Sequence, residues 1–185
     1  QALSHVPTTL NSHTTILSGE DPHGHGVVRN GYQLSSELPL LQEHLKSGDW
    51  DTIAVVGSMA LEAGMGLSRG FDLYDQDFRA GAGLPYEDRA DGVTLRTLEA
   101  VDQREDPSRP LFLFVHYYDP HLPWDSAPAE VRARFADPDY SGPISWKRED
   151  SVSLQRAFFQ GGLSDADLHQ ARQLYRAELH WTDQQ

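Results

Sequence analysis

Cysteine is absent from all 185 residues. That excludes a disulfide framework and a cysteine-ligated zinc site, and it leaves the redox compartment unassigned. Basic residues are scarce: 15 Lys and Arg stand against 28 Asp and Glu, a formal charge of −13. This balance argues against a nucleic-acid backbone or an anionic membrane as the main partner. It does not exclude an anionic substrate, because one or two metal ions reverse the local field inside an acidic cleft. Long apolar runs are missing too. The densest, Leu111–Val115, is broken by His116, far short of the roughly 18 residues that span a bilayer. No membrane-spanning segment is therefore read. The chain opens at Gln1 without an initiator Met or signal peptide and stops at Gln185 inside a helical pattern, so processing or truncation is expected.

What is present is core material: 38% hydrophobic residues, with four Trp and seven Phe, enough for one ordinary domain over residues 1–185. No internal repeat or low-complexity arm is visible. Asn11–Ser18 reads as a short helix capped by Asn or Ser and stopped by Gly19, followed by a loop over Glu20–Gly31. Leu38, Leu41 and Leu45 give Leu34–Lys46 helical spacing. Thr52–Val56 and Leu111–Tyr118 are β-branched or apolar runs that read as central strands. Arg89–Gln103, with Val93, Leu95, Leu98 and Val101, reads as the crossover helix between them. The expected class is α/β with a mainly parallel sheet. Residues 141–160 are polar and Pro/Gly-punctuated, an expected excursion, and Ser164 starts a long helix carrying Leu168, Ala171, Leu174 and Tyr175.

Three clusters carry candidate chemistry. Thr8-Thr9-Leu10-Asn11-Ser12-His13 places hydroxyls directly before a helix, where free amides and the dipole hold an anion within reach of attack. A threonine hydroxyl needs a base or a Lewis acid to become a nucleophile. The same residues also serve simply as a helix cap. Asp21, His23 and His25 have zinc or manganese donor chemistry on a flexible loop, and equally the composition of a turn. His116-Tyr117-Tyr118-Asp119-Pro120-His121 leaves the strongest strand, where ligand crevices of open α/β sheets lie. His116 and His121 can bind an anion, ligate a metal or protonate a leaving group. Alternatively, His116 satisfies a buried hydrogen bond and Asp119-Pro120 starts a turn.

In this order the segments resemble the sulfatase family of the alkaline-phosphatase-like superfamily, in particular a bacterial branch with a Thr-Leu-Pro-Ser-His stretch. Thr9-Leu10-Asn11-Ser12-His13 with Ile16-Leu17-Ser18-Gly19 stands in the place of the C-x-P-S-R…L-T-G signature. His23 through Asn30-Gly31 resembles P-x-x-H-G-V-x-x-N, and Gly66-Leu67-Ser68-Arg69-Gly70-Phe71-Asp72 resembles G-L-x-R-G-F-D. Leu111–Trp124 resembles F-F-L-F-V-H-x-x-D-P-H-x-P-Y, and Tyr175 to Glu178 with Asp183 resembles Y-x-x-E-x-x-x-x-D.

The resemblance implies a three-layer α/β/α fold, incomplete in this chain, whose flanking metal-ligand segments fall before Gln1 and beyond Gln185. It implies Thr9 as nucleophile and metal-bound hydroxyl, Ser12, His13 and His116 on the substrate side, and His121 as anion ligand or proton donor. The implied cofactor is a divalent metal: calcium, or zinc, manganese or magnesium for a phosphoesterase. No formylglycine is expected, since Thr9 replaces the oxidisable Cys. His13 stands where the family has Arg, Asn11 where it has Pro, and Ser58 and Ala60 where many members carry K-x-H. The implied activity is hydrolysis of sulfuric esters, arylsulfatase-like. The alternatives are phosphoester hydrolysis with the Thr nucleophile and a catalytically silent binding domain. The implied partner is a small-molecule or glycan sulfate or phosphate ester. With most of the metal ligands expected outside the chain, negligible turnover is expected from these residues alone. Many relatives are exported, which implies a periplasmic or extracellular setting, although the residues themselves assign none.

Overall fold

The computed structural model describes residues 3–78 and 87–185. The chain is mixed α/β with a small, open, all-parallel sheet. It divides into two compact units, one of residues 1–88 with 92–116 and one of residues 89–91 with 117–185.

In the first unit, β1 (Asp51–Val56) is the central strand. It pairs in parallel with β3 (Leu111–His116), from Asp51 opposite Leu111 to Val56 opposite His116. On its other side it pairs with the short β2 (Leu73–Asp75), where Ile53 lies opposite Leu73. Parallel neighbours need a crossover, and α4 (Ala90–Asp102) supplies it between β2 and β3. The helix was legible; its buried face was not. Val93, Arg96, Thr97 and Ala100 turn inward, while Leu95 and Leu98 are about 60% exposed. The inward set follows the i, i+3, i+4, i+7 spacing of one helical face, and Arg96 takes the place the apolar pattern assigned to leucine. It is buried because its guanidinium reaches Asp88 at 3.1 Å, Asp75 and the Val56 carbonyl. Gly92 leaves room for that arrangement, since a Cβ there would lie 2.6 Å from the Asp88 carboxylate.

Leu10, Leu17, Val27, Leu34, Leu61 and Leu67 form the main core with Val56 and partly buried Phe112 and Phe114. Burying each such side chain stabilises the unit by roughly 2 kcal/mol. Two of the leucines come from α1 (Thr9–Ser18), which begins two residues earlier than the spacing predicts and ends at Gly19 with φ 74°. The expected loop that follows contains a one-turn helix, α2 (Pro22–His25), because Asp21 caps it and Pro22 suits its first position. The helix expected over Leu34–Lys46 shortens to α3 (Leu41–Ser47). Pro39 explains the loss, since it disfavours helical geometry at Leu38 and cannot donate a helical hydrogen bond.

The segment before α3 is instead held by Arg69, which donates to the carbonyls of Ser36 and Leu38 at 2.7 Å each. Gln42, wholly buried, donates to the Leu67 and Arg69 carbonyls. Phe71 stacks on Phe112 at 5.9 Å, and Asp72 accepts from the Thr52 amide and hydroxyl. The Gly66–Asp72 stretch therefore clamps α3, β1 and β2. Gly70 has φ +80°, and a Cβ would stand 2.7 Å from the Glu43 amide nitrogen. Gly70→Ala is expected to cost about 2 kcal/mol, read as a lowered urea midpoint; an unmoved midpoint would contradict this packing.

The second unit is helical. It contains α5 (Ala129–Phe135), α6 (Ser151–Phe159) and α7 (Asp165–Asp183). The last follows the prediction closely: Ser164 accepts from the Asp167 amide while the Asp167 carboxylate takes the Ser164 amide, a reciprocal cap. Within the expected excursion, α6 is a correction. None of its residues is buried, so no packed apolar stripe marked it. Ala127, Val131 and Ala177 form the small core of this unit, with Phe135 and Trp181 packed against it.

Candidate active site

At the start of α1, Thr8 is extended and its hydroxyl donates to Asn11 Oδ1 at 2.5 Å rather than capping an amide. Asn30, twenty residues on, takes the capping role: its Oδ1 accepts from the Leu10 amide at 2.8 Å. Asn11, buried, also accepts from the Ser12 amide and donates to the Val28 carbonyl. The first turn is thus locked to the 28–30 loop by two asparagines. Thr9, half-buried, occupies that turn, and no hydrogen bond engages its hydroxyl among the described residues. The Ser12 hydroxyl shares a hydrogen bond with Ser4 at 3.0 Å.

His13 lies one turn beyond Thr9, with Nδ1 2.7 Å from the Thr9 carbonyl. A carbonyl only accepts, so Nδ1 carries the proton and Nε2 keeps its lone pair. Burial lowers the His13 pKa, partly opposed by this bond. The His13 ring meets His116 edge-on at 4.9 Å and Phe114 at 5.9 Å. His116 ends β3, is 9% exposed, and its Nδ1 is buried without a hydrogen-bond partner among the described residues. Burial, and secondarily the proximity of His13, push its pKa down to about 3. His116 is consequently neutral at physiological pH and offers a hydrogen bond rather than a standing positive charge.

The Asp21–His25 loop takes its turn reading. Asp21 accepts from the His23 and Gly24 amides at 2.9 Å. His25 Nδ1 accepts from the Val27 amide, which leaves Nε2–H to donate to Thr15 at 3.1 Å. Both ring nitrogens are engaged, and the loop is lashed to α1. Among the described residues no three His, Asp or Glu side chains converge on a metal-sized site. Thr9 brings a hydroxyl and His13 a ring lone pair, short of the four or more donors a resident divalent ion takes. These residues alone do not fit the metal centre that the sequence resemblance implies.

Of the expected site residues, Thr9, Ser12 and His13 share one helical face region, and His116 touches His13. His121 belongs to the second unit. It is exposed, stacks on Tyr118 at 4.3 Å and donates from Nδ1 to the Leu122 carbonyl at 2.7 Å, which frees Nε2. Asp119 is buried and accepts from Ser126 at 2.6 Å and from the Ala90 amide at 2.7 Å. Burial raises its pKa against those bonds.

A group the sequence reasoning passed over lies nearby in this unit. Glu178 of α7 is 1% exposed; Oε1 accepts from the Ala127 amide at 3.0 Å while Oε2 is buried without a partner among the described residues. Burial pushes its pKa up to about 7, with Asp119 and Asp125 adding and the Ala127 bond and Arg132 opposing. Its place in the Tyr175–Glu178 motif was the available signal.

No family model matches the sequence, and no curated protein matches it. Solved structures do. The chain is similar to the phosphonate monoester hydrolase of Agrobacterium radiobacter, with TM-score 0.63 and 15% identity over 98% of this chain and 49% of that one. It is also similar to Ps i-CgsB in complex with k-i-k-neocarrahexaose, with TM-score 0.56 and 16% identity over 98% of this chain and 46% of that one. A third protein, held with its substrate D-glucosamine-2-N,6-O-disulfate, gives TM-score 0.53 and 14% identity over 98% and 46%. The fold is accordingly the alkaline-phosphatase-like α/β fold. The chain spans about half the length of these structures.

Proposed function

We propose that this chain is part of an ester hydrolase of the sulfatase-like type, with Thr9 as the attacking hydroxyl. The observation that carries the reading is Thr9 itself. Its hydroxyl sits free in the first turn of a helix whose start is locked by Asn11 and Asn30, in a fold shared with a phosphonate monoester hydrolase. Helix N-termini favour a bound anion through the dipole, and the Leu10 and Ser12 amides are here already taken by Asn30 and Asn11. His13 and Ser12 border that position on the substrate side, and His116 adds a neutral imidazole. His121 is the proposed anion ligand or proton donor to the leaving oxygen, a role that needs Nε2 to carry a second proton beside the one Nδ1 donates to the Leu122 carbonyl. A divalent cation, when bound, would neutralise developing charge; the described residues do not assemble its ligand set, so no step here depends on it.

Threonine cannot yield the formylglycine aldehyde, which favours direct attack by hydroxyl and keeps phosphoesters beside sulfuric esters as substrates. A catalytically silent binding domain is the second reading, favoured by the lack of converging metal donors among the described residues. Matched sulfate and phosphate monoesters, assayed with the longest form in which the protein is made and with divalent cations supplied, separate these readings. Turnover abolished by Thr9→Ala supports the hydrolase and its preferred ester. Turnover unchanged by Thr9→Ala refutes the nucleophile, and ester binding without any product selects the silent domain.

A further inference from the structure

The second unit carries a groove of about 530 Å³ between the 122–124 segment, α6 and α7. Leu122, Trp124, Phe158, Phe159 and Tyr175 are part of its lining. Trp124 and Tyr175 meet edge to face at 6.5 Å, and Phe158 and Phe159 at 5.8 Å. Phe159 is 85% exposed and Phe158 62%, an aromatic surface that water solvates poorly. The volume is that of a small-molecule site. Its polar groups are the Gln155 amide, the Arg172 guanidinium, the Tyr175 hydroxyl and the Trp124 N–H. Arg172 makes no ion pair among the described residues, although the chain carries 28 acidic groups.

This lining discriminates among ligands. A sugar would surrender water contacts at several hydroxyls to a lining that is mostly apolar, and each hydroxyl left unpaired is costly. A flat aromatic body loses nothing of that kind and gains edge and face contacts with the Trp124–Tyr175 pair. A single acidic substituent on it would pair with the Arg172 fork. We propose that the groove is a binding site for an aromatic ring system bearing an acidic group, a proposal that stands independently of the ester-hydrolase reading.

The test uses naphthalene-2-carboxylate and its neutral counterpart naphthalene-2-methanol, titrated against the 185-residue chain with Trp fluorescence as readout. Saturable binding of the carboxylate is expected. Arg172→Gln should weaken the carboxylate about tenfold and leave the alcohol unchanged, as loss of one charge-assisted contact does. Phe158→Ser, at an exposed position, should weaken both. Absence of saturable binding, or two variants that bind like the parent, overturns the proposal.

Discussion

Between pH 4.5 and pH 7 the second unit is expected to lose stability as pH rises, and Glu178→Gln is expected to remove that loss. An unfolded chain ionises Glu178 at its ordinary value of 4.5, whereas the folded chain holds the proton until about pH 7. Across that interval the native state binds more protons than the unfolded one, so stability falls with rising pH and levels off above pH 7. The loss amounts to about 3 kcal/mol at full ionisation. Burial is the main cause: Oε2 has no hydrogen-bond partner among the described residues, and a charge there would face Asp119 and Asp125 with Arg132 as the opposing cation. Glutamine keeps an acceptor for the Ala127 amide and cannot ionise. Hydrogen exchange of α7 amides at pH 5 and pH 8 measures the effect. Parallel pH profiles for the parent and the glutamine variant would refute a protonated Glu178.

The first unit is expected to respond in the opposite direction. His116 has a folded value near 3 against an ordinary 6.5, so the unfolded chain takes up the proton first as pH drops. Stability is whole above pH 6.5 and declines toward pH 3, by about 5 kcal/mol in total for this residue. Burial in the lowered-pKa neighbour His13 adds the same sign. The direct check is the ring-proton NMR shift of His116, which should stay flat from pH 8 to pH 4.5. A His116 midpoint near 6.5 would mean that the ring is hydrated and free to carry charge. Trp50, the one tryptophan in the first unit, reports the accompanying loss of structure, and His116→Gln should shift its acid transition to lower pH.

Much of this fold was legible because pattern and propensity agree in β1, β3 and α7. β-branched or apolar runs bounded by Gly57 and Pro110 mark the two strands, and Ser164 with Asp167 marks the helix start. Where they disagree, the reading slipped. β2 spans three residues, too few to show alternation, and is set by Thr52 pairing with Asp72. In α4 the buried position at Arg96 depends on Asp75 and Asp88, distant partners that a helical wheel does not contain. The nearness of His13 to Thr9 followed from their four-residue spacing. The neutrality of His116 and the retained proton of Glu178 did not, since both come from enclosure by the rest of their units. The Gly66–Asp72 stretch resembled a family motif by sequence, and its bonds show a packing role: Arg69 and Gly70 hold backbone, and Asp72 holds β1.

The asparagine that caps α1 also bears on the order of events at synthesis. Ten residues are too few for a helix to persist alone in water, and the amide of Leu10 finds its acceptor only on Asn30. A ribosome that has released residues 1–19 has therefore released no ordered first turn. Thr9 gains its orientation when the loop through Asn30 has emerged and closed, so the arrangement around it is built by a non-local step and arrives with the rest of the unit's core.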